Sequence, residues 1–518
     1  LLFGLLFFFF SFFTLLYISI FQNGSHIVYS LDDAYIHMAM AKNYALHGVW
    51  GVSKYEFASS SSSILWTSLL ALIYFIFGVN EFIPLVLNLI FASLVIISSY
   101  FILRKYNIKS HYICFILFSL VAITPLPPLM FTGLEHVFHI WISLLFIFLV
   151  SEFLTEINIE RKKIVWLTLL AAMLPMIRYE GIFLVLIASV LLILKRKFAA
   201  GLLILISSLI PMFIFGIISI KNGWSFFPNS LLLKGNFPDI TSFGDFMNFS
   251  FVLVNIFLPG KLLLIIVLSL LVISAAIYYI SKSRYGSIFN MKITYLILLF
   301  VANLILYAAY SKSGWSYRYQ SFLVALGLVI FSILLFEYLV KDFRKKTLLK
   351  SALIIILIIF PIVFVLMQGI KLNVQTPRAS TNIYEQQYQM GQFLKVYYNS
   401  EGVALNDIGA SNYFADINCL DLWGLANLEI SQKRRSGHFD SNDIRIACEK
   451  YNVKIAIVYD SWFFEENGSI IPSEWIKAGS WSISNNVIAG DDTISFYAIN
   501  TKESDILSLN LKQFSSQL

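Results

Sequence analysis

The sequence predicts a polytopic α-helical membrane protein that ends in a small extracytoplasmic α/β domain. Composition is the first observation: of 518 residues, 58% are hydrophobic and 13% are charged, whereas soluble domains carry about 25% charged residues. The second is a series of apolar runs with the length of a spanning helix, about 20 residues. The third is the end of these runs near residue 371, after which helical and strand patterns alternate.

Eleven apolar segments are predicted to span the membrane, and together they form a membrane domain over residues 1–370. A further apolar stretch, 64–77, is short for a span and predicts an interfacial helix within the first outer loop, 21–81. The predicted spans are 1–20, 82–103, 111–131, 134–153, 164–177, 180–194, 199–219, 262–281, 293–311, 320–340 and 351–370.

The distribution of basic residues predicts the direction of the spans. With 64–77 kept out of the membrane, the loops on one side hold 17 Lys and Arg residues and the loops on the other side hold eight. Because short cytoplasmic loops are the basic ones, the N-terminus is predicted to be cytoplasmic. An odd number of spans then places residues 371–518, which we call the tail, outside the cytoplasm.

The tail differs from the membrane domain in both charge and pattern. It holds 12 Lys and Arg residues against 17 Asp and Glu residues, so the basic excess lies in the membrane domain. There it indicates topology and gives no reason to expect nucleic acid as a partner. The periodicities of the tail predict helices at 382–398 and 441–451 and strands at 403–405, 454–459 and 493–499.

The middle of every predicted span lacks Asp, Glu, Lys and Arg. Transporters place ionisable residues near the bilayer midplane, where they coordinate the cargo. The pattern therefore disfavours a transporter. Polar residues gather instead where the spans meet the outer loops, which indicates chemistry at the outer surface of the membrane.

The first outer loop carries two adjacent carboxylates, Asp32 and Asp33, followed at helical spacing by Tyr35 and His37. Adjacent acids suit the N-terminus of a helix, where the backbone dipole favours negative charge. They equally suit a catalytic base and a group that orients it. Spacing alone leaves both interpretations open.

These residues belong to a set of motifs that resembles the GT-C superfamily of polyprenyl-phosphate-sugar-dependent glycosyltransferases. The chain is most similar to the arabinofuranosyltransferase branch of that superfamily. The motifs cover most of its length; they are Asp32-Asp-Ala-Tyr-Ile36, Glu56-Phe-Ala-Ser59 running into Ser62-Ser-Ile-Leu-Trp66, Gly133-Leu-Glu-His136, Arg178-Tyr-Glu-Gly181, Asp407-Ile-Gly-Ala410 and Asp421-Leu-Trp-Gly424.

The resemblance implies a GT-C-like membrane domain and a transferase reaction. The expected enzyme moves a sugar, a pentose such as arabinofuranose, from a polyprenyl-phosphate donor to a glycan or glycoprotein acceptor. It is expected in the bacterial inner membrane, in contact with the lipid bilayer, with the active site and the tail on the extracytoplasmic side. A flippase for lipid-linked sugars and a non-enzymatic subunit of cell-envelope assembly are the alternatives.

The chemistry of such a donor defines what the site must supply. Phosphate is a good leaving group, so the donor side needs no general acid, but the acceptor hydroxyl needs a base and the phosphate needs positive charge. By the family match, Asp33 is the predicted base, with Asp32 as its partner or the alternative base. Glu135 is the predicted second carboxylate, and a divalent cation is a candidate cofactor.

Further residues are predicted to bind substrate. Arg178 and Glu180 interrupt two half-length apolar segments, where they either hold the turn or face a polar cavity. Arg318 and Lys234 are candidates for the donor phosphate. Aromatic residues of the outer loop 220–261 form either an interfacial belt or a surface for sugar. The remaining predicted substrate contacts are His37, Tyr35, Trp224 and Asn229.

Overall fold

The computed structural model describes residues 1–156, 160–234, 262–282, 291–311, 318–339, 348–465 and 468–517. Its first part is helical. In chain order the helices are α1 (Leu2–Gln22), α2 (Asp33–His47), α3 (Ile64–Phe77), α4 (Ile83–Lys105), α5 (Ser110–Ile123), α6 (Leu126–Phe131), α7 (His136–Thr155), α8 (Arg161–Ile177), α9 (Gly181–Leu194), α10 (Phe198–Lys221), α11 (Asn229–Lys234), α12 (Leu262–Lys282), α13 (Lys292–Tyr310), α14 (Ser321–Ile333) and α15 (Leu348–Ile383).

The predicted membrane class is confirmed, because each of the eleven apolar segments contains a helix. Within the described ranges, six helical stretches are long and apolar enough to cross a bilayer: Leu2–Gln22, Ile83–Lys105, Ser110–Phe131, His136–Thr155, Phe198–Lys221 and Lys292–Tyr310. Side chains such as Phe10 and Phe213 are more than half exposed, as expected of surfaces that face lipid. The number of eleven spans stays a prediction.

One prediction for the tail is wrong in its boundary. A separate helix was expected at 382–398, but α15 runs on through a π-helical segment, Tyr384–Tyr388, into α16 (Gln389–Tyr397). The helix thus crosses residue 370, where the two predicted domains meet. The apolar run ends there because the surroundings of the helix change, whereas the backbone stays helical.

The tail folds around a five-stranded sheet with the strand order β2-β1-β3-β7-β6. The strand β1 is parallel to both of its neighbours, and β7 is antiparallel to both of its own. The strands are β1 (Gly402–Leu405), β2 (Asn418–Asp421), β3 (Val453–Val458), β6 (Ile476–Ser482) and β7 (Thr493–Ala498), and a separate short pair is β4 (Phe464–Glu465) and β5 (Gly468–Ser469).

The remaining helices of the tail are α17 (Gly409–Phe414), α18 (Leu428–Arg435), α19 (Ser441–Lys450) and α20 (Thr501–Ser515). The predicted strands β1, β3 and β7 and the predicted helix α19 are confirmed. Asp440 caps α19 through the backbone N–H groups of Asn442 and Asp443, which completes a capping box. The sequence analysis missed β2, β6, α17, α18 and α20.

The tail is fastened to the membrane domain by α2, which holds α17 at both ends. The Asp32 carboxylate accepts the backbone N–H groups of Gly409 and Ala410, each at 2.8 Å. Near the other end of α17, the Lys42 ammonium donates to the carbonyl groups of Asn412 and Tyr413 at 3.2 and 2.8 Å. Negative charge thus meets the N-terminus of α17 and positive charge its C-terminus, the arrangement that the helix dipole favours.

Two further contacts hold the tail in place. The Asn229 amide of α11 donates to the carbonyl oxygen of Gly424 at 2.9 Å. The Tyr451 hydroxyl donates to the Glu56 carboxylate of the first outer loop at 2.7 Å. Together with α17, these contacts spread the attachment over three separate elements of the membrane domain.

A cysteine-labelling experiment tests the predicted orientation. Ser469 of the tail and Lys109 of the α4–α5 loop are both exposed, and the basic-residue count places them on opposite sides of the membrane. In a variant without the three native cysteines, Ser469→Cys should react with a membrane-impermeant maleimide in intact spheroplasts. Lys109→Cys should react only after permeabilisation. The reverse pattern would contradict an outward-facing tail.

A glycine substitution tests the attachment of α17. A Cβ at Gly409 would lie 2.2 Å from the backbone oxygen of Asp32, so Gly409→Ala must push α2 and α17 apart. We expect a fall in the thermal unfolding midpoint of at least about 3 °C and faster proteolytic release of the tail. The control is Gly479→Ala, whose Cβ would meet only a methyl group of Leu511, at 3.1 Å. Equal behaviour of the two variants would show that α17 does not carry the attachment.

Candidate active site

A cavity of about 780 Å³ lies where the membrane domain meets the tail. Its polar lining brings together five of the predicted site residues, which come from α2, the start of α7 and the break between α8 and α9. These are Asp33, His37, Glu135, Arg178 and Glu180. Segments more than 140 residues apart in sequence thus converge on one site, as the motif resemblance implied.

The guanidinium of Arg318 forms a hydrogen bond with the Asp33 carboxylate. Arg318 donates from Nη2 to Oδ2 of Asp33 at 2.7 Å and to the Tyr319 hydroxyl at 3.0 Å. Asp33 and Tyr319 line the cavity, whereas Arg318 does not. The predicted phosphate ligand Arg318 therefore has a protein partner and supports the charge of Asp33.

A second charged group, formed by Arg178, Glu135 and Glu180, also lines the cavity. Arg178 donates from Nη1 to the Glu135 carboxylate at 2.7 Å and from Nη2 to the Glu180 carboxylate at 2.9 Å. All three residues line the cavity, so Arg178 and Glu180 both hold the turn and face the site. Oε2 of Glu135 is buried and has no hydrogen-bond partner among the described residues.

Glycine 133 permits the approach of Glu135. Gly133 has a φ of +67°, and a Cβ there would lie 2.7 Å from the Tyr29 ring and 2.8 Å from the Ala34 side chain. Only glycine tolerates this backbone conformation and this packing together. The turn can therefore pack against the start of α2, and the residue that precedes α7, Glu135, lines the same cavity as Asp33.

Serine side chains form another part of the cavity lining. Ser60 and Ser62 line it, and the neighbouring Ser61 lies 2.9 Å from the Thr67 hydroxyl. Nδ1 of His37 is 2.7 Å from that same hydroxyl, which fixes the orientation of the imidazole. These groups can donate to and accept from sugar hydroxyls.

Across the part of the chain that the structure describes, no group of three or more His, Cys, Asp or Glu side chains is arranged to hold a metal ion. The divalent cation stays a candidate cofactor from the sequence, and the chemistry below is derived from the side chains alone.

Asp32 and Asp33 occupy different environments although they are adjacent. Burial and the nearby Asp407 carboxylate raise the pKa of Asp32, and the hydrogen bonds from Ala410 and Gly409 act in the opposite direction. Both oxygens of Asp32 accept backbone N–H groups of α17, and Asp32 does not line the cavity. These facts favour Asp33 as the base.

Three predicted substrate contacts lie outside the cavity lining. Tyr35 has no exposed surface, because its ring packs against Tyr413 and Phe414 of α17. Trp224 packs edge-on against Phe57, and Asn229 is used to hold the tail. Lys234 ends α11, and its side chain lies outside the described part of the structure.

Other lining residues escaped the sequence analysis. Tyr319 and the tail residues Leu425 and Arg435 line the cavity without having been predicted, and Phe227 of the loop 220–261 is an aromatic residue for which a belt and a surface for sugar had both been left open. The serine run and the basic run Lys433-Arg-Arg435 were visible in the sequence. Nothing in their local pattern indicates that the fold brings them to Asp33.

Comparisons with known proteins agree with this architecture. A family model described as a domain of unknown function, DUF8728, matches residues 381–497. No curated protein matches the sequence. The crystal structure of ArnT from Cupriavidus metallidurans bound to undecaprenyl phosphate is similar with a TM-score of 0.54 and 11% identity over 95% of this chain and 97% of that chain. The crystal structure of the same protein in the apo state is similar with a TM-score of 0.52 and 12% identity over 94% of this chain and 97% of that chain.

The chain shares its fold with ArnT. This confirms the fold that the motif resemblance implied. At 11% identity the similarity shows the fold alone, and the arabinofuranosyltransferase branch gains no support from it. The ArnT structure does carry undecaprenyl phosphate, a lipid of the class that the resemblance predicted as donor carrier.

Proposed function

We propose that this protein is a membrane glycosyltransferase that takes a sugar from a polyprenyl-phosphate donor. One observation carries the proposal: Asp33 lines a cavity at the junction of membrane helices and tail, with Arg318 behind it and Glu135 in the same cavity. The fold shared with ArnT, which binds undecaprenyl phosphate, supports a lipid-phosphate donor. Apolar helices next to the cavity give the lipid chain of such a donor a place to stay in the bilayer.

The reaction needs one proton transfer and one displacement. The Asp33 carboxylate takes the proton of the acceptor hydroxyl, and the acceptor oxygen forms a bond to the anomeric carbon of the donor sugar. The bond between that carbon and the phosphate oxygen breaks, and its electron pair leaves with the polyprenyl phosphate. Because phosphate is a good leaving group, no side chain has to protonate it.

The second charged group orients the reactants. Glu135 and Glu180 can accept hydrogen bonds from sugar hydroxyls, while Arg178 holds both carboxylates in place. His37, Ser60 and Ser62, which also line the cavity, add further hydrogen-bonding groups. Asp32 and Arg318 act as positioning residues: Asp32 fixes the tail, and Arg318 fixes the base.

The finer assignments follow from the motif resemblance. We propose a pentose such as arabinofuranose as the sugar to test first, and an extracytoplasmic glycan or glycoprotein as the acceptor. The protein then acts in the bacterial inner membrane with its cavity open to the outer side. A comparison of pentose and hexose donors on the same polyprenyl phosphate distinguishes these sugars directly.

Substitution of the base tests the proposed function. Asp33→Asn keeps an oxygen that can accept the Arg318 N–H but removes the proton acceptor, so transfer should fall by about 100-fold or more. Transfer is measured with a radiolabelled polyprenyl-phosphate pentose and, as acceptor, membranes from cells that lack this protein. The thermal unfolding midpoint is measured in parallel, because the substitution also removes the charge that is paired with Arg318.

The matched control is Asp505→Asn, which makes the same chemical change on the exposed face of α20. It should transfer at the parent rate. If Asp33→Asn is as active as Asp505→Asn, Asp33 is not the base. If the parent protein transfers none of the offered sugars, the proposed activity with these donors is wrong.

A further inference from the structure

The tail contributes a cation to the cavity that the mechanism above does not use. Arg435, the last residue of α18, lines the cavity together with Leu425 of the loop before that helix. Arg435 ends the run Lys433-Arg434-Arg435. The other lining residues named so far come from the membrane domain, so Arg435 places a charge of the tail in the same space as Asp33.

The three basic residues of this run have three different surroundings. The Lys433 ammonium forms an ion pair with Asp443 at 3.1 Å. Arg434 donates to the carbonyl oxygen of Leu422 at 2.9 Å, and its guanidinium lies 4.4 Å from the centre of the Phe439 ring. The exposed side chain of Arg435 forms no hydrogen bond or ion pair with the described residues.

The helix that carries Arg435 is held firmly at its start. The Asn427 side chain caps α18 by accepting the backbone N–H of Ile430 at 3.0 Å. The loop before it is tied to the membrane domain where Gly424 accepts the Asn229 amide at 2.9 Å. Asp421 closes the same loop by accepting the backbone N–H groups of Trp423 and Ala426 at 2.8 and 2.7 Å. The helix α18, which carries Arg435, is therefore fixed in place by the contacts of its N-terminus and of the loop before it.

The charges of the cavity give Arg435 a distinct role. Arg178 is shared between the carboxylates of Glu135 and Glu180, and Arg318 is paired with Asp33. A phosphate that enters this space meets three carboxylates, each of which accepts a hydrogen bond from one of these two guanidinium groups. Among the described lining residues, Arg435 is the arginine that is not paired with a carboxylate, and its planar fork can bind two phosphate oxygens at once.

We propose that Arg435 binds the phosphate of a substrate in this cavity, so that the tail supplies part of the substrate site. The proposal rests on the proposed transferase function. The phosphate has two sources with the same chemistry: the head group of the polyprenyl-phosphate donor, or a phosphate carried by an anionic acceptor glycan. In either case the tail must be docked for the site to be complete. Substrate binding therefore depends on the hydrogen bonds from Asp32 and Lys42 to α17.

The test uses the full-length protein in lipid nanodiscs with undecaprenyl phosphate as probe and undecaprenol, which lacks the phosphate, as its neutral counterpart. Arg435→Ala should raise the dissociation constant of undecaprenyl phosphate by about 10-fold or more and leave that of undecaprenol unchanged. Arg435→Lys should lose less, since it keeps the charge but not the fork. The control is Arg445→Ala, which removes an exposed arginine of α19 that is paired with Glu474 outside the cavity.

A second arm separates the two sources. At saturating donor, the amount of acceptor membranes that gives half-maximal transfer is measured for the parent and for each variant. An unchanged affinity for undecaprenyl phosphate with a rise of about 10-fold in this amount for Arg435→Ala assigns the contact to the acceptor and supports the proposal. Equal values for Arg435→Ala and Arg445→Ala in both arms would overturn it.

Failure of this proposal differs from failure of the proposed function. If the parent protein transfers sugar and the Arg435 variants match it in every measurement, the function stands and Arg435 has no role in binding. If the parent protein neither binds undecaprenyl phosphate nor transfers sugar, both proposals are wrong.

Discussion

The arrangement of the whole site depends on the hydrogen bonds that join Asp32 and Lys42 to α17. A half-buried carboxylate, Asp32, meets the N-terminus of α17, and a buried ammonium, Lys42, meets its C-terminus. Each charge is placed where the helix dipole favours it, which offsets part of the cost of burial. Asp33 follows Asp32 directly, so one turn of backbone both docks the tail and places the proposed base in the cavity. The position of the base and the position of the tail are therefore set together.

Charged side chains are also paired around the cavity. Buried charges are stable only when they are paired and hydrogen-bonded, and the site meets this condition with two groups. One joins Arg318 to Asp33, and the other joins Arg178 to Glu135 and Glu180. This pairing holds reactive carboxylates in fixed positions but leaves little positive charge for a phosphate. Arg435 supplies that charge from the tail, which explains in physical terms why a membrane-embedded site would need a domain above it.

The sequence was informative where a strong local signal existed. Apolar runs predicted the membrane helices, and the motif around Asp32 and Asp33, with those at Glu135 and Arg178, predicted the lining of the cavity. Tyr35 shows the limit: it lies within the motif, yet packing against α17 buries it completely. Arg435 shows the converse, since a run of three basic residues has the same pattern on a solvated helix as above a cavity. Both depend on how the tail docks, a long-range arrangement that neither periodicity nor composition encodes.

The most direct test of the account is a cryo-electron microscopy structure of the protein in nanodiscs with undecaprenyl phosphate bound. The account predicts that the phosphate lies in the cavity lined by Asp33 and Glu135, beneath the docked tail, with the isoprenoid chain leaving between membrane helices into lipid. The tail should retain its contacts from Asp32 and Lys42 to α17. A phosphate bound elsewhere on the protein with this cavity empty, or a tail detached from α2 in the bound state, would contradict the claim that the two domains share one catalytic site.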